Sequence, residues 1–127
     1  MLSYKKMAIY LQQQNKYFFA IKPSYIVISI PKIKYHITIY RDQWDEYEDV
    51  TGKPYHLFHV SANDTTEKCS SYFWINKHNY HIQKIPKKYF TYNQPSFNFF
   101  SSTRSPCGLQ EVSPLLKNFQ QIINEIV

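Results

Sequence analysis

Three runs, Tyr17-Phe-Phe-Ala-Ile21, Tyr25-Ile-Val-Ile-Ser-Ile30 and Lys34-Tyr-His-Ile-Thr-Ile-Tyr-Arg41, follow one another almost without pause. β-branched and aromatic side chains dominate all three, and such residues suit a pleated, half-buried surface. The interruptions are short, Lys22-Pro-Ser24 and Pro31-Lys32. A parallel pair needs a long crossover, so breaks of this length predict antiparallel neighbours joined by tight turns.

The same reading extends downstream. Residues 54–61 make a fourth strand. Residues 71–75 and 80–85 make a fifth and a sixth, with Asn76-Lys-His-Asn79 as the turn between them. Upstream, residues 3–14 read as a helix, because Tyr4, Ala8 and Leu11 recur at i, i+4 and i+7. At the other end, Ser113 suits an N-cap and Pro114 the first helical position. Leu115, Leu116, Phe119, Ile122, Ile123 and Ile126 then form one apolar stripe opposite Lys117, Asn118, Gln120, Gln121 and Asn124. The expected fold is α+β: an antiparallel sheet of five or six strands, with an N-terminal and a C-terminal helix on one face.

Two stretches resist this pattern. Residues 42–53 read as a turn or long hairpin loop, with Gly52 at a turn. Residues 86–108 carry three prolines among Tyr89, Phe90, Tyr92, Phe97, Phe99 and Phe100. They read as a long aromatic-pinned loop; structureless loops beyond about 12–15 residues are uncommon, so the stretch is either functional or holds a further element.

The chain has 127 residues, which fits one domain with a core of its own. No apolar run reaches the roughly 18 residues of a membrane span. The N-terminus lacks the apolar core of a signal peptide, and two cysteines make no disulfide framework. The expected compartment is the reducing cytoplasm; export without a signal peptide is also compatible with the sequence. The heavy use of Lys, Ile, Asn and Tyr reads partly as an AT-rich coding sequence.

Charge is segregated. Residues 1–41 hold seven Lys or Arg and no acid, whereas five of the nine acids fall between Asp42 and Asp49. A second basic group, Lys77, Lys84, Lys87 and Lys88, is interleaved with Tyr80, Tyr89, Phe90 and Tyr92. Cations attract phosphate backbones and aromatic rings stack on bases. Lys77, Lys84, Lys87, Lys88, Tyr89 and Tyr92 are therefore the candidate nucleic-acid-binding residues. The ring motif of RNA-recognition domains is absent. In the acidic stretch, Trp44, Asp45, Glu46 and Tyr47 could dock on a basic protein partner, since exposed aromatics anchor interfaces. The stretch lacks the spacing of a calcium-binding helix–loop–helix motif.

His56 and His59, like His78 and His81, form His-x-x-His pairs with Cys69 between them. Residues three apart in a strand face opposite ways, so no metal is expected there. Cys107 lies before the C-terminal helix, where a thiol can be activated as a nucleophile, though Ser113 as the cap would leave it too early in the chain. His36-Ile-Thr38 and His59-Val-Ser61 repeat a His-x-Thr/Ser pattern. This resembles the paired motif of the two-histidine phosphoesterases, whose members carry it in two symmetric lobes, much further apart in sequence. The resemblance covers six residues and implies His36, Thr38, His59 and Ser61 as catalytic residues acting on a phosphodiester. On adjacent strands the two histidines could serve as general acid and base.

The expected function is a small non-enzymatic interaction protein. It would bind an acidic partner, nucleic acid or a nucleoprotein complex, through a basic, aromatic-rich face, without a cofactor. A histidine-based nuclease or phosphodiesterase is the alternative, and a helix-mediated homodimer the third.

Overall fold

A computed structural model describes residues 2–44, 55–64, 69–85 and 107–127. Helix α1 (Tyr4–Gln12) leads into six strands: β1 (Phe18–Ile21), β2 (Tyr25–Ser29), β3 (Tyr35–Tyr40), β4 (Tyr55–Ala62), β5 (Ser70–Asn76) and β6 (Ile82–Lys84). Helix α2 (Leu109–Ile126) closes the chain. The strands form one sheet in sequence order, each antiparallel to the next. The fold is the expected α+β arrangement, a six-stranded meander with a helix at each end.

Tight turns explain the topology. Between β2 and β3, Ile33 N–H donates to the Ile30 carbonyl at 3.2 Å, with Pro31 and Lys32 at the corners. Lys32 takes φ 69°, so this is the pattern of a type II turn: proline first, left-handed residue second. Between β5 and β6, Tyr80 takes φ 60° and its N–H reaches the Asn76 carbonyl at 2.7 Å. That left-handed residue delays β6 to Ile82, two residues later than the sequence pattern predicts.

One side of the sheet carries the main core. Register sets Ile26 opposite Ile39, Ile28 opposite Ile37, Ile37 opposite Val60 and Phe58 opposite Phe73. Both helices join this side: Tyr4, Met7 and Leu11 of α1, and Val112, Leu115, Phe119, Ile122 and Ile123 of α2 belong to the same buried cluster. Phe119 meets Phe58 edge-on at 4.8 Å between ring centroids. Tyr10 Oη donates to Glu125 Oε2, tying α1 to α2.

Three helical expectations need correction. Ser3 caps α1 through Lys6 N–H at 3.1 Å, but the stripe runs through Met7, with Ala8 only half-buried. Residues 41–44 are helical, where Arg41 is expected to end the third strand and 42–44 to open a loop. Helix α2 begins one turn early, with Gly108 as its N-cap. Ser113 and Pro114 therefore lie inside it, and Ser113 Oγ bonds back to the Leu109 carbonyl at 2.9 Å. The early start is set by packing. Val112 is in phase with Leu115 and Phe119 and fully buried, and Glu111 Oε2 accepts from Tyr35 Oη at 2.6 Å. These gains outweigh the backbone hydrogen bond that Pro114 cannot donate.

Candidate functional site

The sheet's other side, here the far face, has a different composition. Strand alternation and register place Tyr25 of β2, His36, Thr38 and Tyr40 of β3, Tyr55, Leu57, His59 and Ser61 of β4, and Ser70, Tyr72 and Trp74 of β5 on it together. Towards β6 it closes over a small apolar cluster of Leu57, Trp74 and Ile85, with Tyr55 stacked flat on Trp74 at 3.8 Å.

Across β2 to β5 the far face carries a row of rings. Tyr25 and Tyr40 are 6.1 Å apart, Tyr40 and His59 6.5 Å, and His59 and Tyr72 4.6 Å. All four are half-buried, so they are held by their neighbours while keeping an accessible edge or face. Burial, with the neighbouring Tyr40 adding to it, pushes the Tyr72 hydroxyl up to about 12, so it stays a neutral donor at physiological pH.

The two His-x-Thr/Ser stretches meet in this row. In the β3–β4 ladder His36 lies opposite Ser61, and Thr38 opposite His59. The four side chains thus occupy the corners of one rectangle on one face. Diagonal neighbours in such a ladder lie about 7–8 Å apart, which puts the two rings within reach of a common small group. Asn63 Oδ1 holds His36 Nδ1 at 2.8 Å. His59 Nε2 shares hydrogen bonds with Ser70 Oγ and, at 3.2 Å, with Ser61 Oγ. Thr38 and Ser61 are themselves buried, which makes them anchors of the ladder rather than exposed groups.

One cation extends this row past Tyr25, and a second stands to one side of it, beyond His36 on β3. The β1–β2 pairing continues through Lys22, whose N–H donates to the Tyr25 carbonyl at 2.8 Å. The β3–β4 pairing continues through Lys34, whose carbonyl accepts from Asn63 N–H at 2.8 Å. By alternation both lysines fall on the far-face side, and both are exposed. The six strands contain no Asp or Glu.

The residues singled out from sequence are distributed unevenly. Lys84 lies opposite Phe73 and so on the helix-bearing side, and Lys77 sits in the β5–β6 turn. Neither joins the ring row, while Lys87, Lys88, Tyr89 and Tyr92 lie outside the described residues. Trp44, expected as an exposed anchor, is fully buried and stacks on His56 at 4.8 Å. Its indole is committed to the core. Asp45, Glu46 and Tyr47 lie outside the described residues.

His56 and His59 point to opposite faces of β4, which leaves that His-x-x-His pair unable to chelate one ion. Cys107 directly precedes the Gly108 cap, closer to the helix than Ser113 as cap would have put it. Burial nevertheless pushes its thiol up to about 12, the opposite of an activated nucleophile. Lys22, Lys34, Tyr25, Tyr40 and Tyr72 were not singled out as site residues. The available signal was the alternation within 17–41, which already set Tyr25, His36, Thr38 and Tyr40 on the face without the isoleucines.

Among the described residues no helix is long and apolar enough to cross a membrane. The sequence is 54% identical over 125 residues to "Uncharacterized protein R703" of Acanthamoeba polyphaga mimivirus. That match covers 98% of this chain and 93% of the relative. No protein-family model matches the chain, and no solved structure matches it.

Proposed function

The chain belongs to the family of the mimivirus protein R703, and we propose that it binds single-stranded nucleic acid on the far face of its sheet. The ring row of Tyr25, Tyr40, His59 and Tyr72 carries this reading. Four rings on four consecutive strands offer successive bases a stacking surface, and stacking tolerates any base because every base has a π-face. Lys22 beside Tyr25 and Lys34 beyond His36 supply charge for the phosphates, and strands free of carboxylates add no repulsion. Single strands suit such a platform better than a duplex, whose bases are already stacked on each other.

The test is binding of a mixed-sequence single-stranded RNA, with a duplex of the same sequence as the control, across a salt series. Affinity should fall with salt. Replacing Lys22 and Lys34 by Gln should flatten the log–log slope by about 1.4, two contacts at about 0.7 each. Absence of binding at low salt, or equal affinity for the duplex, would defeat the proposal. A basic protein partner at the 42–49 segment would then be the better reading.

A second reading draws on the rectangle of His36, Thr38, His59 and Ser61: cleavage of a bound phosphodiester, with one imidazole as base and the other as acid. It is supported by the two histidines sharing one face, as the resemblance to the two-histidine phosphoesterases requires. Incubating the single-stranded RNA with the protein should yield shortened products. His36→Ala and His59→Ala should each abolish them while circular dichroism stays unchanged. Cleavage that survives either substitution would remove this reading and leave binding intact.

A further inference from the structure

Cys69 and Cys107 stand 38 positions apart in the chain (107 minus 69) but meet at one end of the sheet. Cys69 lies beside the end of β4, where its carbonyl accepts from Ala62 N–H at 3.4 Å. Cys107 reaches the same place from the other direction. Its N–H donates to Ser71 Oγ at 2.7 Å and its Sγ lies 4.0 Å from the Val60 carbonyl oxygen. Ser71 lies opposite Val60, so Cys107 is pinned over the β4–β5 ladder two residues from Cys69. By alternation Cys69 shares the helix-bearing side with Ser71, the residue that holds Cys107, so both thiols belong to the same buried cluster at this end of the ladder. Both are buried in the main core cluster, where solvent reagents meet them only through local opening.

We propose that Cys69 and Cys107 are a redox pair that forms one intramolecular disulfide, fastening the entry of α2 to the end of the β4–β5 hairpin. The oxidant is a disulfide of the glutathione class. One protein thiolate attacks a sulfur of oxidised glutathione and expels a glutathione thiolate, giving a mixed disulfide. The other protein thiolate then attacks the protein sulfur of that mixed disulfide and expels the second glutathione. The protein loses two electrons and two protons, and oxidised glutathione becomes two reduced molecules. Burial disfavours the Cys107 thiolate, which makes the exchange slow and the bond, once made, slow to reverse.

The experiment uses the full chain under native conditions, equilibrated with glutathione at a series of reduced-to-oxidised ratios, quenched in acid and alkylated after denaturation. The expected product is a monomer lighter by two hydrogens, with one crosslinked peptide joining Cys69 to Cys107. Its Tm should exceed that of the reduced protein by about 5–10 °C, because the bond closes a long loop. Circular dichroism of the same sample confirms that the fold is retained, so the result does not depend on a cysteine variant that might not fold. A stable single glutathione adduct, an intermolecular dimer, or two free thiols at the most oxidising ratio would each overturn the proposal. Failure here leaves nucleic-acid binding untouched, since neither cysteine contributes to the far face.

Discussion

His56 and His59 sit three residues apart on β4 and have little in common. His56 points into the helix-bearing side, 1% exposed, with its ring stacked on Trp44. Burial lowers it to about 4; the neighbouring Lys77 adds to that shift, while a hydrogen bond from Nδ1–H to the Trp44 carbonyl at 3.4 Å opposes it. His59 points the other way, half-buried between Tyr40 and Tyr72, in contact with hydroxyls. The difference follows from strand geometry alone, because an odd spacing exchanges faces. One side of the sheet is built to exclude water and hold the molecule together. The other is lined with groups that can meet a polar ligand.

The contrast predicts large stability effects on one side only. Phe119→Ala should cost about 3–5 kcal/mol in urea unfolding, because Phe119 is fully buried and packs edge-on against Phe58. A loss below about 1 kcal/mol would mean that α2 does not carry the core.

His56 gives the next effect, and its sign is fixed. The unfolded chain takes up a proton near 6.5, whereas the folded protein resists it until about 4. Protonation therefore favours the unfolded state, so the stability contribution is complete above about 6.5 and is lost as pH falls towards 4. The interval corresponds to about 3 kcal/mol. His56→Phe keeps a ring against Trp44 and cannot titrate. Its stability should fall with acid by about that much less than the parent's over the same range. Parallel curves would show that His56 is not held neutral.

On the far face the effect should move from stability to binding. Tyr40→Leu keeps bulk and removes the stacking ring between Tyr25 and His59. Affinity for single-stranded RNA should drop by about 1–2 kcal/mol, with the salt slope nearly unchanged, because stacking releases few ions. Unfolding free energy should change by about 1 kcal/mol or less. A variant that loses stability but binds normally would reverse the assignment of the two faces.

The sheet was legible because its strands announce themselves by residue type and its breaks are too short for crossovers. What escaped the sequence has specific causes. Ser113-Pro114 carries the side-chain chemistry of a helix start, yet burial of Val112 and the Tyr35–Glu111 bond draw the helix one turn earlier. Met7 replaced Ala8 in the stripe because a larger apolar side chain gains more from burial. Trp44 looked exposed beside a run of acids, but a buried partner, His56, waits twelve residues away on another element. The histidine rectangle was half-visible. The motifs were in the sequence, and only the β3–β4 register showed that each histidine faces the other's hydroxyl. Proximity in sequence groups Lys84 with Lys77, Lys87 and Lys88, whereas alternation groups Lys22 and Lys34 with the rings and leaves Lys84 on the opposite side.

The smallest predicted effect lies in the turn that sets β2 against β3, touching neither face. Pro31 fixes the first corner, and the second demands a left-handed residue, a place that Lys32 fills at φ 69°. A side chain there crowds its Cβ against the following carbonyl, at a cost of about 1–2 kcal/mol that glycine does not incur. Glycine also loses more freedom on folding, by roughly 0.5–1 kcal/mol, so Lys32→Gly should stabilise the protein by about 0.5–1 kcal/mol net. Lys32 is exposed, and Lys32→Ala separates its charge from its backbone. The alanine variant removes the same cation but keeps the strain, so it should stay close to the parent in stability while the glycine variant rises above both. Chemical unfolding of the three proteins at neutral pH reads this directly. Equal stability of the glycine and alanine variants would show that the corner is not left-handed. The register pairing Ile28 with Ile37 and Tyr25 with Tyr40, on which the separation of the faces depends, would then need another origin.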